Sequence, residues 1–125
     1  MGWGAGTPLE EARDHLKIYL AAGGNLVDTA HGYANGASEE TLGAMVGHLV
    51  PRDDLVICTK AGISRRTGTR VVDTSRRTLM NQLDRSLERL GTPYVDLWLV
   101  HTWSDDTPLD ETLSALEWAV TSGRA

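Results

Sequence analysis

Short apolar runs at residues 25–28, 55–59 and 95–100 are each flanked by stretches whose apolar residues recur every three or four positions. Runs of four to six residues suit strands, and the three-four recurrence suits helices. The order that results is helix, strand, helix, strand, helix, strand, helix. Regular alternation with apolar strands argues for parallel βα units, because parallel neighbours need a crossover element between them.

The helix ends carry their own signals. Thr7-Pro8-Leu9-Glu10 reads as a capping box with proline in the first turn, followed by Leu9, Ala12, Leu16 and Leu20 on one face and stopped by Gly23-Gly24. Ser38 is a candidate cap for the second helix, with Glu39 and Glu40 in its first turn and Leu42, Met45, Val46 and Leu49 as its stripe. The third helix takes Asp73 or Thr74 as cap, Leu79, Leu83, Leu87 and Leu90 as core face and Gly91 as C-cap. Thr107-Pro108-Leu109-Asp110 repeats the threonine-proline start, and Leu113, Leu116, Trp118 and Val120 follow. Residues 61–73 read as a polar loop.

At 125 residues the chain is one domain, able to bury about two thirds of its unfolded surface. A formal net charge of -5 argues against nucleic acid and anionic membranes as partners. No stretch approaches the roughly 20 apolar residues of a membrane span, and the N-terminus lacks a basic-then-apolar signal region. The single cysteine, Cys58, excludes an internal disulfide and reads as a buried, inert thiol. A cytoplasmic location is the expectation.

The chemistry gathers at the strand ends. In parallel βα folds the C-terminal strand ends share one rim, where active sites form. Asp28, Lys60 and His101 fall at such ends, and Tyr33 follows Asp28 by five residues. An ammonium beside a phenol favours the phenolate, a carboxylate keeps that ammonium charged and oriented, and an imidazole can hydrogen-bond a carbonyl oxygen. The set suits protonation of a carbonyl oxygen while a hydride reaches its carbon.

Three segments carry a family resemblance. Gly24-Asn25-Leu26-Val27-Asp28-Thr29-Ala30, with Tyr33 and Gly36-Ala37-Ser38-Glu39, is the first; Val56-Ile57-Cys58-Thr59-Lys60 is the second; residues 86–101, ending Tyr94-Val95-Asp96-Leu97-Trp98-Leu99-Val100-His101, are the third. The chain resembles the N-terminal half of an aldo-keto reductase. The resemblance implies an α/β fold, a partial TIM (β/α)8 barrel. It also implies NADPH-dependent reduction of an aldehyde or ketone to an alcohol. Asp28 would be the supporting carboxylate, Tyr33 the general acid, Lys60 the amine that eases its deprotonation and His101 the group that orients the carbonyl. Gly2 and Trp3 would join Asp28 near the cofactor, and Trp3 and Trp103 would join Tyr33 and His101 at the substrate.

The same resemblance sets a tension. The family closes eight strands, and three are legible here; the segments that hold most of the cofactor have no counterpart. An incomplete parallel sheet has open edges that invite pairing. The alternative expectation is therefore a catalytically inactive half-barrel that acts only by assembly with a partner chain, or that self-associates.

Some motifs stay outside this scheme. His31 near Asp28 and Ser38 suggests a hydrolytic triad or metal site, but no nucleophile elbow or paired-ligand spacing accompanies it, and no metal is expected. His48 reads as a surface residue near a helix C-terminus. Arg65, Arg66, Arg70, Arg76 and Arg77 read first as a solvated loop and helix start, with a phosphate or acidic substrate as the alternative. Gly2-Trp3-Gly4 is a weak match to a dinucleotide fingerprint.

Overall fold

A computed structural model describes residues 2–65 and 68–125. Its elements are α1 (Leu9–Ala21), β1 (Leu26–Asp28), α2 (Ala37–Gly43), β2 (Val56–Ala61), β3 (Ile63–Ser64), β4 (Val71–Val72), α3 (Arg76–Leu90), β5 (Leu97–Val100) and α4 (Leu109–Thr121), with 3-10 turns at Tyr33–Gly36 and Arg52–Asp54. The three expected strands form one parallel sheet in the order β1-β2-β5. Among the described residues the sheet closes no barrel. Arg66 lies outside the described residues, as does Met1.

Register decides which side chains share a face. Asp28 pairs with Cys58, and Lys60 pairs with Leu99. Alternation then puts Leu26, Asp28, Val56, Cys58, Lys60, Leu97 and Leu99 on one face, and Val27, Ile57, Thr59, Ala61, Trp98 and Val100 on the other. The second face is the core. Ile57, Thr59, Leu42, Met45, Leu83, Leu90 and Ala119 are each fully buried there, as α2, α3 and α4 cover the sheet. The first face is open: Leu26, Leu97 and Leu99 each remain 45% exposed. At β1, the Tyr19 hydroxyl donates to Leu26 O at 2.9 Å and accepts from Leu26 N–H at 3.2 Å. That hydroxyl occupies backbone groups that would otherwise be free at the sheet edge.

Several helix boundaries depart from expectation. The capping box at Thr7 does not form; Pro8 occupies the cap position of α1 without a side-chain bond. Thr7 belongs instead to a preceding turn, in which Gly2 O accepts from the N–H groups of Ala5, Gly6 and Thr7. Ser38 does not cap α2. Gly36, at φ 102°, takes that position, and Ser38 is buried inside the helix with its hydroxyl 3.0 Å from Thr29 Oγ1. The helix stops at Gly43, so Met45 and Val46 reach the core from a following turn, and exposed His48 lies beyond the helix end. The cap of α3 is Ser75, accepting from Thr78 N–H at 3.4 Å. Asp73 supports it from outside, accepting from Ser75 N–H at 2.9 Å and from the Thr78 hydroxyl at 2.6 Å. Gly91 ends α3 as expected, left-handed at φ 65°, while Thr92 N–H returns to Leu87 O. The stretch expected as a loop, 61–73, contains the antiparallel pair β3–β4.

A buried ionic network holds these pieces in register. Glu39, in the first turn of α2 as expected, is fully buried. Its Oε1 accepts from the Thr59 hydroxyl at 2.6 Å, and its Oε2 accepts from Arg89 Nη1 at 3.1 Å. One carboxylate thus joins α2, β2 and α3. At the opposite end of the sheet, Arg52 donates to Thr92 Oγ1, Leu55 O, Tyr94 O and Asp96 Oδ2, and that same Oδ2 accepts from Ile57 N–H at 2.7 Å. Gly43 marks how closely α2 and α3 approach, because a Cβ there would collide with the Arg89 carbonyl.

Removing one partner of a buried pair strands the other charge. Arg89→Leu is expected to lower unfolding stability by about 3–5 kcal/mol in urea titrations, whereas Glu40→Ala, on the exposed side of α2, should change it by less than about 0.5 kcal/mol. Equal effects from the two would contradict the assignment.

Candidate active site

Asp28 ends β1 and Lys60 lies near the end of β2, both on the open face. His101 follows Val100 at the end of β5, and its N–H donates to Ala61 O at 2.8 Å. By alternation from Leu97 and Leu99, it emerges on the same face. The four expected residues are brought together. Lys60 Nζ donates to Asp28 Oδ2 at 2.6 Å and to Thr29 O at 2.9 Å. It also stands 5.1 Å from the centroid of the Tyr33 ring. The Tyr33 and His101 rings meet edge to face, with centroids 5.5 Å apart and planes at 79°. Lys60 therefore meets Tyr33 across the ring; its hydrogen bonds go to Asp28 and Thr29.

The loop that carries Tyr33 is locally strained. Ala34 (φ 50°), Asn35 (φ 55°) and Gly36 (φ 102°) follow it in succession, all in the left-handed region. Glycine adopts this region freely, while each non-glycine residue costs about 1–2 kcal/mol. The strain turns the chain sharply after Tyr33 and delivers it to α2, where buried Glu39 and Ser38 lock it. A Cβ at Gly36 would collide with the Arg89 guanidinium, so the turn also clears space for the buried ion pair.

Electrostatics separate the two histidines near this loop. His101 is held below the ordinary histidine range, first by burial, then by Lys60 and Arg70, against the opposing Asp28 charge. Its Nδ1 is buried and has no hydrogen-bond partner among the described residues. His101 thus stands as a neutral imidazole at neutral pH. His31 is lowered to about 4, by burial first and then by Arg89 and Arg85. Arg89 Nη1 donates to His31 O at 3.2 Å and lies 3.3 Å from His31 Nδ1, so Nδ1 accepts and the ring is neutral. His31 is a loop anchor; neither Asp28 nor Ser38 pairs with it. Among the described residues no cluster of three His, Cys, Asp or Glu could hold a metal. Cys58 is buried beside Asp28, and burial with the Asp28 contact and charge raises its thiol to about 11, the inert form expected.

Two cavities meet this set. One of about 250 Å³ is walled by Tyr33, His101, Gly32, Ala34, Ile63 and Arg65. Another of about 380 Å³, between β1, α1 and α2, includes Gly2, Trp3 and Asp28. Trp3 thus shares a cavity with Asp28 and not with Tyr33 and His101. Trp103 lines neither; it is 63% exposed, and its indole N–H donates to Asp105 Oδ1 at 2.7 Å. Sequence reasoning missed Arg89 and the buried role of Glu39. A Glu in a first turn and an Arg in a last turn have ready surface explanations, and only tertiary contact distinguishes them.

Comparison with known proteins agrees with the geometry. The family model described as the aldo/keto reductase family matches residues 1–125, and the chain belongs to that family, a class of oxidoreductases. It is 38% identical over 121 residues to an L-glyceraldehyde 3-phosphate reductase of Escherichia coli K12, covering 94% of this chain and 35% of that protein. It is 37% identical to norsolorinic acid reductase B of Aspergillus parasiticus, covering 87% of this chain and 30% of that protein. An aldo-keto reductase structure from Bacillus halodurans, in its holo form, superposes with a TM-score of 0.85 at 33% identity, covering 97% of this chain and 41% of that one. The chain spans about a third of the length of the curated relatives it matches.

The linkage sign for His31 makes a pH prediction. Its folded pKa is below the unfolded value, so the unfolded chain takes up the proton first as pH falls. The stabilisation is complete above pH 6.5 and is lost progressively toward about pH 4, by up to about 3 kcal/mol for a shift of this size. Urea midpoints measured across that range should fall steeply, and His31→Gln should flatten the slope. An unchanged slope in the variant would contradict the buried neutral His31.

Proposed function

We propose that this chain carries the proton-transfer half of an NADPH-dependent reductase that converts an aldehyde or ketone to an alcohol. The observation that supports it most is the placement of Lys60 Nζ, bound to Asp28 at 2.6 Å and set over Tyr33, whose ring abuts His101. The donor set fits the reacting end of a nicotinamide cofactor, with Asp28, Gly2 and Trp3 as the residues of this chain nearest to holding it. When bound, NADPH supplies the hydride that adds to the carbonyl carbon, becoming NADP+.

In this reading Tyr33 gives its hydroxyl proton to the carbonyl oxygen as the C=O π bond breaks. The Lys60 charge, kept in place by Asp28 and Thr29 O, stabilises the phenolate left behind, and solvent restores the proton. His101 Nε2–H orients the carbonyl oxygen. The neutral ring forms a directed hydrogen bond without adding a second cation beside Lys60.

Tyr33→Phe keeps the ring contacts and removes only the proton. Its kcat for carbonyl-dependent NADPH oxidation is expected to fall by about 10²–10⁴, with cofactor binding, read by quenching of tryptophan fluorescence, unchanged. Trp3, Trp98, Trp103 and Trp118 are the intrinsic probes. Wild-type activity in the variant would defeat the assignment of Tyr33.

A second reading has its own support. Leu26, Leu97 and Leu99, each 45% exposed on the open sheet face, form an apolar surface that calls for cover. An inactive half-barrel assembling with itself or a partner chain would supply it. Sedimentation distinguishes the two: a compact monomer that oxidises NADPH favours the enzyme, and a concentration-dependent, inactive oligomer favours assembly.

A further inference from the structure

Next to the cavity walled by Tyr33 and His101 lies another, of about 330 Å³, that the proton-transfer set does not use. The two share Gly32 and Arg65, so they adjoin at the loop that carries Tyr33. The walls of the second cavity are rich in hydrogen-bond donors. Arg65, Arg85 and Arg89 contribute, with Asn35, Asn81 and Gln82. Gln82 accepts from Gly62 N–H with its carbonyl oxygen at 2.8 Å, so its NH2 is what remains to offer a ligand. No Asp or Glu lines the cavity among the described residues.

The charges in that wall are not equivalent. Arg89 is committed to Glu39 and to the His31 carbonyl. Arg65 and Arg85 enter no ion pair among the described residues. Two unneutralised guanidiniums around a concavity, in a chain of net charge -5, are a local reversal of sign. Guanidinium forks recognise carboxylate and phosphate oxygens in pairs. His31, in that wall, feels the field: Arg89 and then Arg85 add to burial in lowering it. A merely solvated arginine face would need neither a shared cavity nor walls free of carboxylates.

We propose that this second cavity receives the anionic end, carboxylate or phosphate, of the carbonyl substrate whose C=O group meets Tyr33 and His101. The inference rests on the reductase reading and narrows it to anionic aldehydes and ketones. Arg65, exposed at the start of the 61–73 segment, then has a binding role as well as a surface one. Phosphate and carboxylate share the required chemistry, so both enter the test.

The experiment compares NADPH oxidation with 4-formylbenzoate, 4-formylphenyl phosphate and the neutral 4-formylbenzamide. At least one anionic aldehyde is expected to exceed the neutral one in kcat/KM by about tenfold or more, mostly through KM. Arg85→Gln and Arg65→Gln should each bring that ratio toward one, and Arg85→Lys should retain an intermediate ratio. Inorganic phosphate titrated into the protein should perturb the His31 and Gln82 side-chain NMR signals saturably, and less so in Arg85→Gln. Turnover without preference between charged and neutral aldehydes, or a preference that both glutamine variants leave intact, overturns the anion pocket alone. No turnover with any aldehyde overturns the reductase reading and this substrate assignment with it.

Discussion

Glu39 is the carboxylate on which the rest of the structure depends. It is fully buried, and its two oxygens are divided between the Thr59 hydroxyl of β2 and the Arg89 guanidinium of α3. Arg89 continues to His31, which sits in the loop between Asp28 and Tyr33. A buried charge is tolerable only when paired and hydrogen-bonded, so the network admits few alternative placements of its members. It therefore helps to set the position of the loop that carries Tyr33, with His31 N–H also donating to Lys60 O at 2.9 Å.

Strand β2 carries two networks on opposite faces. Thr59 points to the helices and binds Glu39; Lys60, one residue on, points to the open face and binds Asp28. The pleat makes this separation automatic, since successive side chains leave a strand in opposite directions. A one-residue slip would exchange the two roles and place Lys60 in the core. The pairing of Cys58 with Leu97 and of Lys60 with Leu99 thus keeps Lys60 on the face of Asp28 and Thr59 in the core. The same register places Cys58 beside Asp28 on the open face, where burial and the Asp28 contact and charge raise its thiol.

Much of the architecture was legible in the linear pattern. The three strands, the parallel order and the leucine face of α3 follow from periodicity, and Gly91 follows from the geometry of a left-handed helix end. Boundaries were less legible where several residues compete for one role. Thr7, Ser38, Asp73 and Thr74 all have the chemistry of a cap, yet the positions went to Pro8, Gly36 and Ser75. Ser38 was drawn inward by Thr29, and Asp73 by Ser75 and Thr78. Residues 61–73 looked polar enough for a loop because β3 and β4 contribute only two residues each, too few to show an alternation.

By itself, the sequence determined the identities and strand-end positions of Asp28, Lys60 and His101, because spacing along alternating βα units places them on one rim. It also carried the family resemblance. Tertiary structure alone decided that Tyr33 approaches Lys60 across its ring, that Trp3 and Trp103 stand away from the cavity of Tyr33 and His101, and that Arg65 and Arg85 adjoin that cavity. The physical reason is range. Periodicity and capping act over a few residues and leave a local record, whereas Arg89 and Glu39 meet across fifty positions with no mark on either neighbourhood.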